Sequence, residues 1–565
     1  MTSIPQIISQ RAVGEWAVQS RYAYENPFTD VAVTATFRSP SGKTFTLPGF
    51  YDGENTWRVR FNPDEAGEWT YRLLAYPANP DLTFEGSFAV RPGQSRGFLR
   101  ATPGQAWGFH YESGEPAFLL GDTVYNLFGM AYCGADVASF LQRRAAQGFN
   151  LLRIRLPVSP FHPPDGYSAW QTKRTWPWGG SEQSPRFDRF NLDYFRTVDE
   201  VVREAERLGL GIEMIMEAWG FEFPFNSRQI FTPEWEELWL RYLIARYDAF
   251  TCVYFWTPLN EYEYYPNGDW HYKPVADRWA MRIARWIKGV AQHGHIISIH
   301  NGPREPAFAR RFAADPEAIE TIMFQEWGTR DEANGWLAAG IETQIQRSLE
   351  GWRGAAIFAE YGYERNPDLP LLIPSHRYCD PEHTRRGAWR GAFCGLNVIH
   401  GFDNSWGPFQ VLDQDQPGLV YLLHLRHFFT EVVPFAQLQP APEIITPPEV
   451  IPPQGHQPLA LATGAGTERP RRGKGERDLV TVYLPVGGSV ALALASAQYP
   501  NAHWFDPRTA QHQPAAPAGQ NETLHPPTGS TTLQVVPVGT TRFTAPGGSD
   551  PAGHPWDWVL VLQGR

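Results

Sequence analysis

The stretch Phe255-Trp256-Thr257-Pro258-Leu259-Asn260-Glu261 follows directly from an apolar run that begins at Cys252. A second apolar run, 355–359, ends in the same way at Glu360. Buried strands of parallel sheets are short apolar runs of this kind, and a charged residue directly after one marks its surface end. Both glutamates are therefore expected at the ends of buried strands, although 99 positions separate them in the chain.

Strands and helices alternate on both sides of this stretch. Eight runs have the character of buried strands: 117–120, 151–155, 212–217, 252–256, 295–300, 321–326, 355–359 and 397–402. Helical spacing separates them, over 136–147, 192–208, 233–247, 275–290, 337–352, 384–394 and 420–432. Eight such units predict a (β/α)8 barrel. The alternative is an open doubly wound sheet, but the Gly-rich loop usual after its first strand is absent from Gly121-Asp122-Thr123.

Both ends of the chain carry shorter, alternating strands. Residues 31–37, 56–61 and 68–73 alternate in this way and are followed by turn residues, and similar strands return after Leu479. The sequence predicts a multidomain α/β plus all-β protein. Its domains are a β-sandwich over 1–95, a central TIM barrel over 96–438 and a second β-sandwich over 439–565, with an exposed Pro/Gly/Arg-rich segment near 440–476.

Composition excludes several partners and chemistries. The formal net charge of -11 argues against nucleic acid as a partner. No stretch reaches the roughly 18 apolar residues that span a bilayer, and no signal peptide is recognisable. This predicts a cytoplasmic location for the chain as given, or secretion if a signal has been removed. The four cysteines are too scattered for a disulfide framework or a metal site, so neither metal nor cofactor is expected.

In a (β/α)8 barrel, functional residues lie at the carboxyl ends of the strands. Glu261 ends the fourth strand and Glu360 the seventh. Two carboxyls on one rim suit hydrolysis of a glycosidic bond, at a separation of about 5–5.5 Å for a double displacement or roughly 6.5–9.5 Å for inversion. The charge of an ionised Glu360 would raise the pKa of Glu261 and keep its proton available.

This arrangement resembles the clan A glycoside hydrolases, whose members retain anomeric configuration. The resemblance implies that Glu261 is the general acid/base and Glu360 the nucleophile. It also implies that Asn260 binds the sugar 2-hydroxyl and that Trp406, after strand eight, is a sugar platform.

The resemblance extends to other parts of the chain. Residues 49–60 together with 66–71 resemble the N-terminal β-sandwich of a poorly characterised subset of this clan. Residues 116–127 resemble the start of its barrel, and this resemblance makes Asp122 a candidate substrate contact. The tail, 504–509 and 557–560, resembles a module labelled as collagen-binding. Val124-Tyr125, directly after Asp122-Thr123, departs from the pattern, because that subset more often has a Trp there, and this bears on the substrate pocket.

Other candidate substrate contacts lie at strand ends. Arg155, after strand two, fits the place of an arginine seen in many clan members, or forms a structural ion pair. Glu217, after strand three, binds a sugar hydroxyl, holds Arg155 or is an alternative catalytic group, and support is favoured over catalysis. His300, after strand five, bonds substrate or Glu261, or only packs.

Aromatic residues supply the remaining candidates. The clan often has a Tyr or His after strand six, but none is recognisable beside Trp327, so Tyr361 and Tyr262 are the substitutes considered. The long loop after strand two carries Trp176 and Trp178, which form sugar subsites or pack on their own loop.

Three functions compete. A retaining glycosidase acting on an oligo- or polysaccharide is favoured because both carboxylates are present. The alternative is a non-catalytic carbohydrate- or matrix-binding protein. A peptidase acting on collagen has no support, since no His-Glu-x-x-His motif is present. Sugar, linkage, exo or endo action and oligomeric state stay open.

Overall fold

The computed structural model describes residues 3–157, 175–269, 271–302, 308–326, 341–368, 380–402, 412–448, 452, 455–463, 478–494, 499, 501–517, 540–551 and 553–564. None of the helices in these ranges combines the length and apolarity needed to cross a bilayer.

Eight parallel strands form the centre of the protein. They are β1 (Leu120–Thr123), β2 (Leu151–Arg155), β3 (Gly211–Trp219), β4 (Val253–Asn260), β5 (Ile296–His300), β6 (Thr321–Gln325), β7 (Ala355–Glu360) and β8 (Asn397–Phe402). Strand β1 pairs with β8 from Leu120 opposite Val398 to Thr123 opposite Gly401, so the sheet closes on itself. The predicted TIM barrel is confirmed, and its strands are apolar because helices cover their outer faces.

Eight helices lie among the described residues: α1 (Leu127–Tyr132), α2 (Val137–Ala146), α3 (Leu192–Leu208), α4 (Pro233–Tyr247), α5 (Pro274–Val290), α6 (Ile341–Ser348), α7 (Pro381–Phe393) and α8 (Leu419–His427), which continues as a π-turn over Phe428–Val432. The first strand begins later than predicted. The N–H of Ala117 donates to Phe109 O at 2.9 Å, outside the barrel sheet, so residues 117–119 precede the strand.

A short antiparallel hairpin, Leu99–Ala101 with Phe109–Tyr111, closes the amino-terminal end of the barrel. Its apolar side chains pack against residues from the beginnings of the strands, among them Leu151, Phe255 and Ile296. The hydroxyls of Tyr111 and Tyr254 lie 2.9 Å apart. This end of the barrel is therefore filled with apolar and aromatic side chains, and polar side chains are left to the opposite end.

The amino-terminal region is all-β, as predicted. A five-stranded sheet contains Ile7–Ser9, Phe84–Arg91, Gly67–Tyr76, Ala32–Arg38 and Thr44–Pro48, and a three-stranded sheet contains Gly14–Gln19, Thr56–Phe61 and Phe50–Tyr51. The region is fixed to the barrel by a buried ion pair between Arg60 and Asp199 of α3, and Asp199 also accepts from Arg246 Nε of α4 at 2.9 Å.

The carboxyl-terminal region is also all-β. Its main sheet contains Leu438–Pro440, Leu459–Thr463, Leu479–Leu484, Trp558–Gln563, Asn501–Phe505 and His512–Pro514, and a separate pair joins Ser489–Leu492 to Thr541–Thr544. Helix α7 contacts it through Arg385, whose Nη2 lies 2.9 Å from Asp557 Oδ1, with both side chains fully buried. The predicted boundaries at 95 and 438 stay predictions.

Candidate active site

The two predicted catalytic glutamates lie at the carboxyl end of the barrel. Glu360 is the last residue of β7, and Glu261 follows the last residue of β4. Glu261 has a φ of 54°, in the left-handed region that non-glycine residues rarely adopt, and starts a 3-10 turn over Tyr262–Tyr264. Such backbone strain persists where surrounding structure fixes it, and it is concentrated at functional sites.

Arg153 of β2 connects three groups beneath the rim. Its side chain is fully buried, with Nη1 3.3 Å from Glu360 Oε2 and Nε 3.3 Å from Glu213 Oε2. Its Nη2 donates to Asn260 Oδ1. A guanidinium has donors in a fixed plane, so one arginine holds the Glu360 carboxylate, the Asn260 amide and a deeper carboxylate in a set geometry.

Glu213 of β3 extends this network towards the barrel interior. Thr257 Oγ1 donates to Glu213 Oε1 at 2.9 Å and lies 2.5 Å from Ser298 Oγ. Burial raises the pKa of Glu213, while the nearby Arg153 charge opposes that effect. Arg153 is therefore held from below by a polar chain that crosses three barrel strands.

Two tyrosines complete the surroundings of Glu360. Tyr125 O–H donates to Glu360 Oε2 at 3.4 Å and lies 3.3 Å from the Tyr363 hydroxyl. Burial raises the pKa values of both phenols, so both stay neutral and can donate. Glu360 Oε2 thus faces a cation on one side and a neutral donor on the other.

Glu261 has a different environment. Burial, and next the negative charge of Glu360, raise its pKa to about 8. Gln325 Nε2 of β6 donates to Glu261 Oε1 at 2.7 Å, which opposes that rise. Glu261 consequently keeps a proton at neutral pH, as expected of a general acid.

The structure places Arg155 away from Glu360. Its Nη1 lies 3.2 Å from Glu222 Oε1, and its guanidinium lies 4.0 Å from the Trp219 ring centroid. The cation beside Glu360 is therefore Arg153, two residues earlier on the same face of β2. The contact with Glu222 fits the alternative of a structural ion pair for Arg155, and the strand-two arginine that contacts Glu360 is Arg153.

Asp122 and Glu217 form buried ion pairs. Arg144 Nε of α2 donates to Asp122 Oδ2 at 2.7 Å, and Arg228 Nη2 donates to Glu217 Oε2 at 2.6 Å. Glu217 therefore does not hold Arg155. These contacts fit a supporting role, and substrate binding by either residue stays a prediction.

The predicted contacts His300 and Tyr361 are both buried. Burial lowers the pKa of His300 well below its ordinary value, so its ring is neutral. The Tyr361 ring lies 4.8 Å from that of His400. The Tyr361 hydroxyl forms no hydrogen bond among the described residues. The other substitute considered, Tyr262, donates to Asp277 Oδ1 at 2.9 Å. Neither tyrosine takes the place beside Glu360 that Tyr125 occupies.

The two loop tryptophans are packed within the protein. The Trp176 and Trp178 rings lie 4.9 Å apart, and Trp178 lies 4.6 Å from Trp239 of α4. Both side chains are buried, so their packing favours the alternative of a loop core over a sugar subsite. Trp327 and Trp406 lie outside the described residues.

Comparison with known families identifies the barrel region of the chain. The family model described as "Apiosidase-like, catalytic domain" matches residues 106–403, more than half of the chain. The chain belongs to the apiosidase-like family. A domain of unknown function, DUF5060, matches residues 10–76 of this apiosidase-like chain. The search of curated proteins found no match.

Two solved structures are similar in fold to this chain. A candidate glycoside hydrolase from Bacteroides vulgatus is 18% identical with a TM-score of 0.64, and the match covers 99% of this chain and 100% of that one. A glycoside hydrolase family 5 protein from the same species is 17% identical with a TM-score of 0.56, covering 83% of this chain and 93% of that one. With the family match, these similarities confirm the resemblance to clan A glycoside hydrolases.

Proposed function

We propose that this apiosidase-like protein hydrolyses a glycosidic bond with retention, Glu261 acting as acid/base and Glu360 as nucleophile. The contrast between the two carboxyl environments carries this proposal. Burial and the charge of Glu360 keep Glu261 protonated, whereas Glu360 lies beside the Arg153 cation and the Tyr125 hydroxyl. An acid and an ionised carboxylate at one rim are the pair that a double displacement needs.

In the first step, Glu360 attacks the anomeric carbon. Arg153 and Tyr125 hold its Oε2, which leaves Oε1 to form the new bond. The bond from the anomeric carbon to the leaving oxygen breaks, and Glu261 gives that oxygen its proton. In the second step, Glu261 takes a proton from water, whose oxygen attacks the anomeric carbon and releases Glu360.

Asn260 is the proposed partner of the sugar hydroxyl next to the reacting carbon. Arg153 donates to its Oδ1, which fixes the side-chain amide with Nδ2 as the free end. Among the described residues this buried Nδ2 has no hydrogen-bond acceptor. A buried donor without a partner is costly, so a substrate hydroxyl accepting from Nδ2 would satisfy it.

The substrate is proposed to be an oligosaccharide or polysaccharide. Apiosides stand first among the candidates because the family model takes its name from an apiosidase. The aromatic residues described beside Glu360 are Tyr125, whose hydroxyl donates to Oε2, and Tyr363, whose hydroxyl lies 3.3 Å from that of Tyr125.

Hydrolysis of a panel of aryl glycosides, headed by aryl apiosides, tests the proposal. Glu360→Ala is expected to abolish turnover, and azide is expected to restore it as a glycosyl azide of inverted configuration. Glu261→Ala with azide should instead give the retained product. Glu350→Gln is the matched control, because its side chain is 68% exposed and precedes the start of β7, whereas Glu360 is the last residue of that strand.

Turnover by Glu360→Ala at the wild-type rate without azide would refute the assignment. Binding of an oligosaccharide in calorimetry, with no hydrolysis of any member of the panel, would support the non-catalytic alternative.

A further inference from the structure

Gln325 forms a hydrogen bond with one carboxyl oxygen of Glu261 and not with the other. Its Nε2 donates at 2.7 Å to Glu261 Oε1 and at 3.0 Å to the backbone carbonyl of Asn301. Among the described residues, no hydrogen bond is made to Glu261 Oε2. The two oxygens of the general acid are therefore chemically unequal before substrate binds.

The orientation of the Gln325 amide follows from backbone groups alone. A carbonyl oxygen only accepts, so the atom 3.0 Å from Asn301 O must be the NH2 and not the amide oxygen. Asn301 is fixed in the same manner, since its Oδ1 accepts from the Gln325 N–H at 3.0 Å and its Nδ2 donates to Gly302 O at 2.9 Å. Neither amide can turn over without losing a bond to the backbone.

The second hydrogen of this NH2 group therefore points at Glu261 Oε1. A proton on Oε1 would turn the acceptor of this bond into a hydroxyl oxygen, a weaker acceptor, whereas a proton on Oε2 leaves Oε1 as a carbonyl oxygen that accepts at full strength. We propose that Gln325 is a positioning residue that confines the acid proton of Glu261 to Oε2, and hence selects the oxygen that protonates the leaving group. This inference rests on the proposed acid/base role of Glu261.

Several charged groups near Glu261 shift its pKa independently of Gln325. Glu360 favours the protonated form, while Arg153 and Arg155 favour the ionised form. Glu263, in the turn after β4, adds a further carboxyl nearby. These groups act on the whole carboxyl, so they set how readily Glu261 ionises without distinguishing its two oxygens. Among the described residues, Gln325 is the neighbour that forms a hydrogen bond with one oxygen and not with the other.

The test uses Gln325→Met, which keeps the length of the side chain and removes the donor. With a poor leaving group, kcat/KM is expected to fall by about tenfold to a hundredfold, because the variant keeps Glu261 and loses only part of a general-acid contribution of roughly 10²–10⁴-fold. With a dinitrophenyl leaving group, which needs no proton, it should fall by at most about twofold. The basic limb of the pH profile should move up by about one pH unit, because the lost bond stabilised the ionised form.

Two variants guard against damage to the fold. Gln325→Asn keeps an amide for Asn301 but lacks the reach to Glu261, so it should behave like the Met variant. Ser348→Ala removes the 2.6 Å hydrogen bond to Glu326, one residue beyond Gln325, and should leave both substrates and the pH limb unchanged. An equal fall in kcat/KM for both substrates, with no shift in the basic limb of the pH profile, would show that Gln325 has only a structural role.

Infrared spectroscopy separates this inference from the proposed function. The C=O stretch of protonated Glu261, assigned by subtracting the spectrum of Glu261→Gln, reports the bond to Oε1 without turnover. It should lie at lower frequency in the wild type than in Gln325→Met or Gln325→Asn. An unmoved band would overturn the inference, even in an active enzyme. A moved band would support it, even if no tested glycoside were hydrolysed.

Discussion

Glu261→Gln should make the protein more stable in alkaline solution, although it removes a proposed catalytic group. The pKa of Glu261 is about 8 in the folded protein against an ordinary value of 4.5. A carboxyl with a raised pKa contributes its stability below the ordinary value and loses it as pH rises through the folded value. Between pH 4.5 and 8, Glu261 is ionised in the unfolded chain but stays protonated in the folded protein, so the free energy of unfolding falls steadily as pH rises.

The size of this penalty follows from the two pKa values. At about 1.36 kcal/mol for each pH unit, the wild type would lose close to 5 kcal/mol by pH 8. Glu261 is partly exposed, and its ionised form gains solvation by small movements, so about half of that is the reasonable expectation. We therefore expect Glu261→Gln to gain about 2 kcal/mol over the wild type at pH 8, and almost nothing at pH 4.5.

Denaturant unfolding of both proteins from pH 4.5 to 9 measures the effect. The difference in unfolding free energy should grow across this window and level off above pH 8. Glu350→Gln, on an exposed side chain, should follow the wild type throughout. A constant difference at all pH values, or a less stable Glu261→Gln at pH 8, would show that the folded site does not hold this carboxyl protonated.

Three further changes test the surroundings of Glu360 and the attachment of the tail. Arg153→Met should cost about 3–5 kcal/mol of stability, because buried Glu213 loses its cationic partner, and should lower kcat at least a hundredfold; wild-type stability would contradict the ion-pair geometry. Tyr125→Phe should lower kcat about tenfold with little change in KM, because it removes one hydrogen bond to Glu360. A rise in KM with kcat unchanged would instead indicate that Tyr125 contacts the substrate. Arg385→Met should weaken the contact between α7 and the carboxyl-terminal region by about 3–5 kcal/mol, because buried Asp557 loses its cationic partner. The expected result is faster proteolysis of the carboxyl-terminal region with kcat nearly unchanged.

The barrel and the two strand-end glutamates are readable from the sequence because both depend on local patterns. Apolar runs of strand length, separated by helical spacing, define the eight strands, and the residue after each run is fixed by chain order. Glu261 and Glu360 then share a rim by topology. Nothing beyond the strand count is needed to bring them to the same end.

The partner of Glu360 could not be chosen in the same way. Arg153 and Arg155 are two residues apart on β2, so both point into the barrel, and sequence favours the one nearer the strand end. Which of them reaches β7 depends on the stagger of neighbouring strands, a property of the closed sheet. The alternation itself was a usable signal that Arg153 also faces inward.

Tyr125 and the loop tryptophans show a second limit. Tyr125 reaches Glu360 because the closed sheet places the end of β1 close to β7, a contact between residues 235 positions apart. Trp178 packs against α4, but the sequence alone shows only an aromatic loop. Aromatic residues serve equally in cores and in sugar platforms, so composition cannot distinguish the two uses.

Among the described residues, the hairpin of Leu99–Ala101 and Phe109–Tyr111 covers the amino-terminal end of the barrel, so substrate is expected to enter at the end that carries Glu261 and Glu360. In a double displacement, the released alcohol and the incoming water then share a single route. The alcohol must diffuse out past the glycosylated Glu360 before water can take its place. An alcohol that stays bound near Glu360 competes with water for attack on the same anomeric carbon. Concentrated acceptor alcohols should therefore turn the hydrolase into a catalyst of sugar transfer.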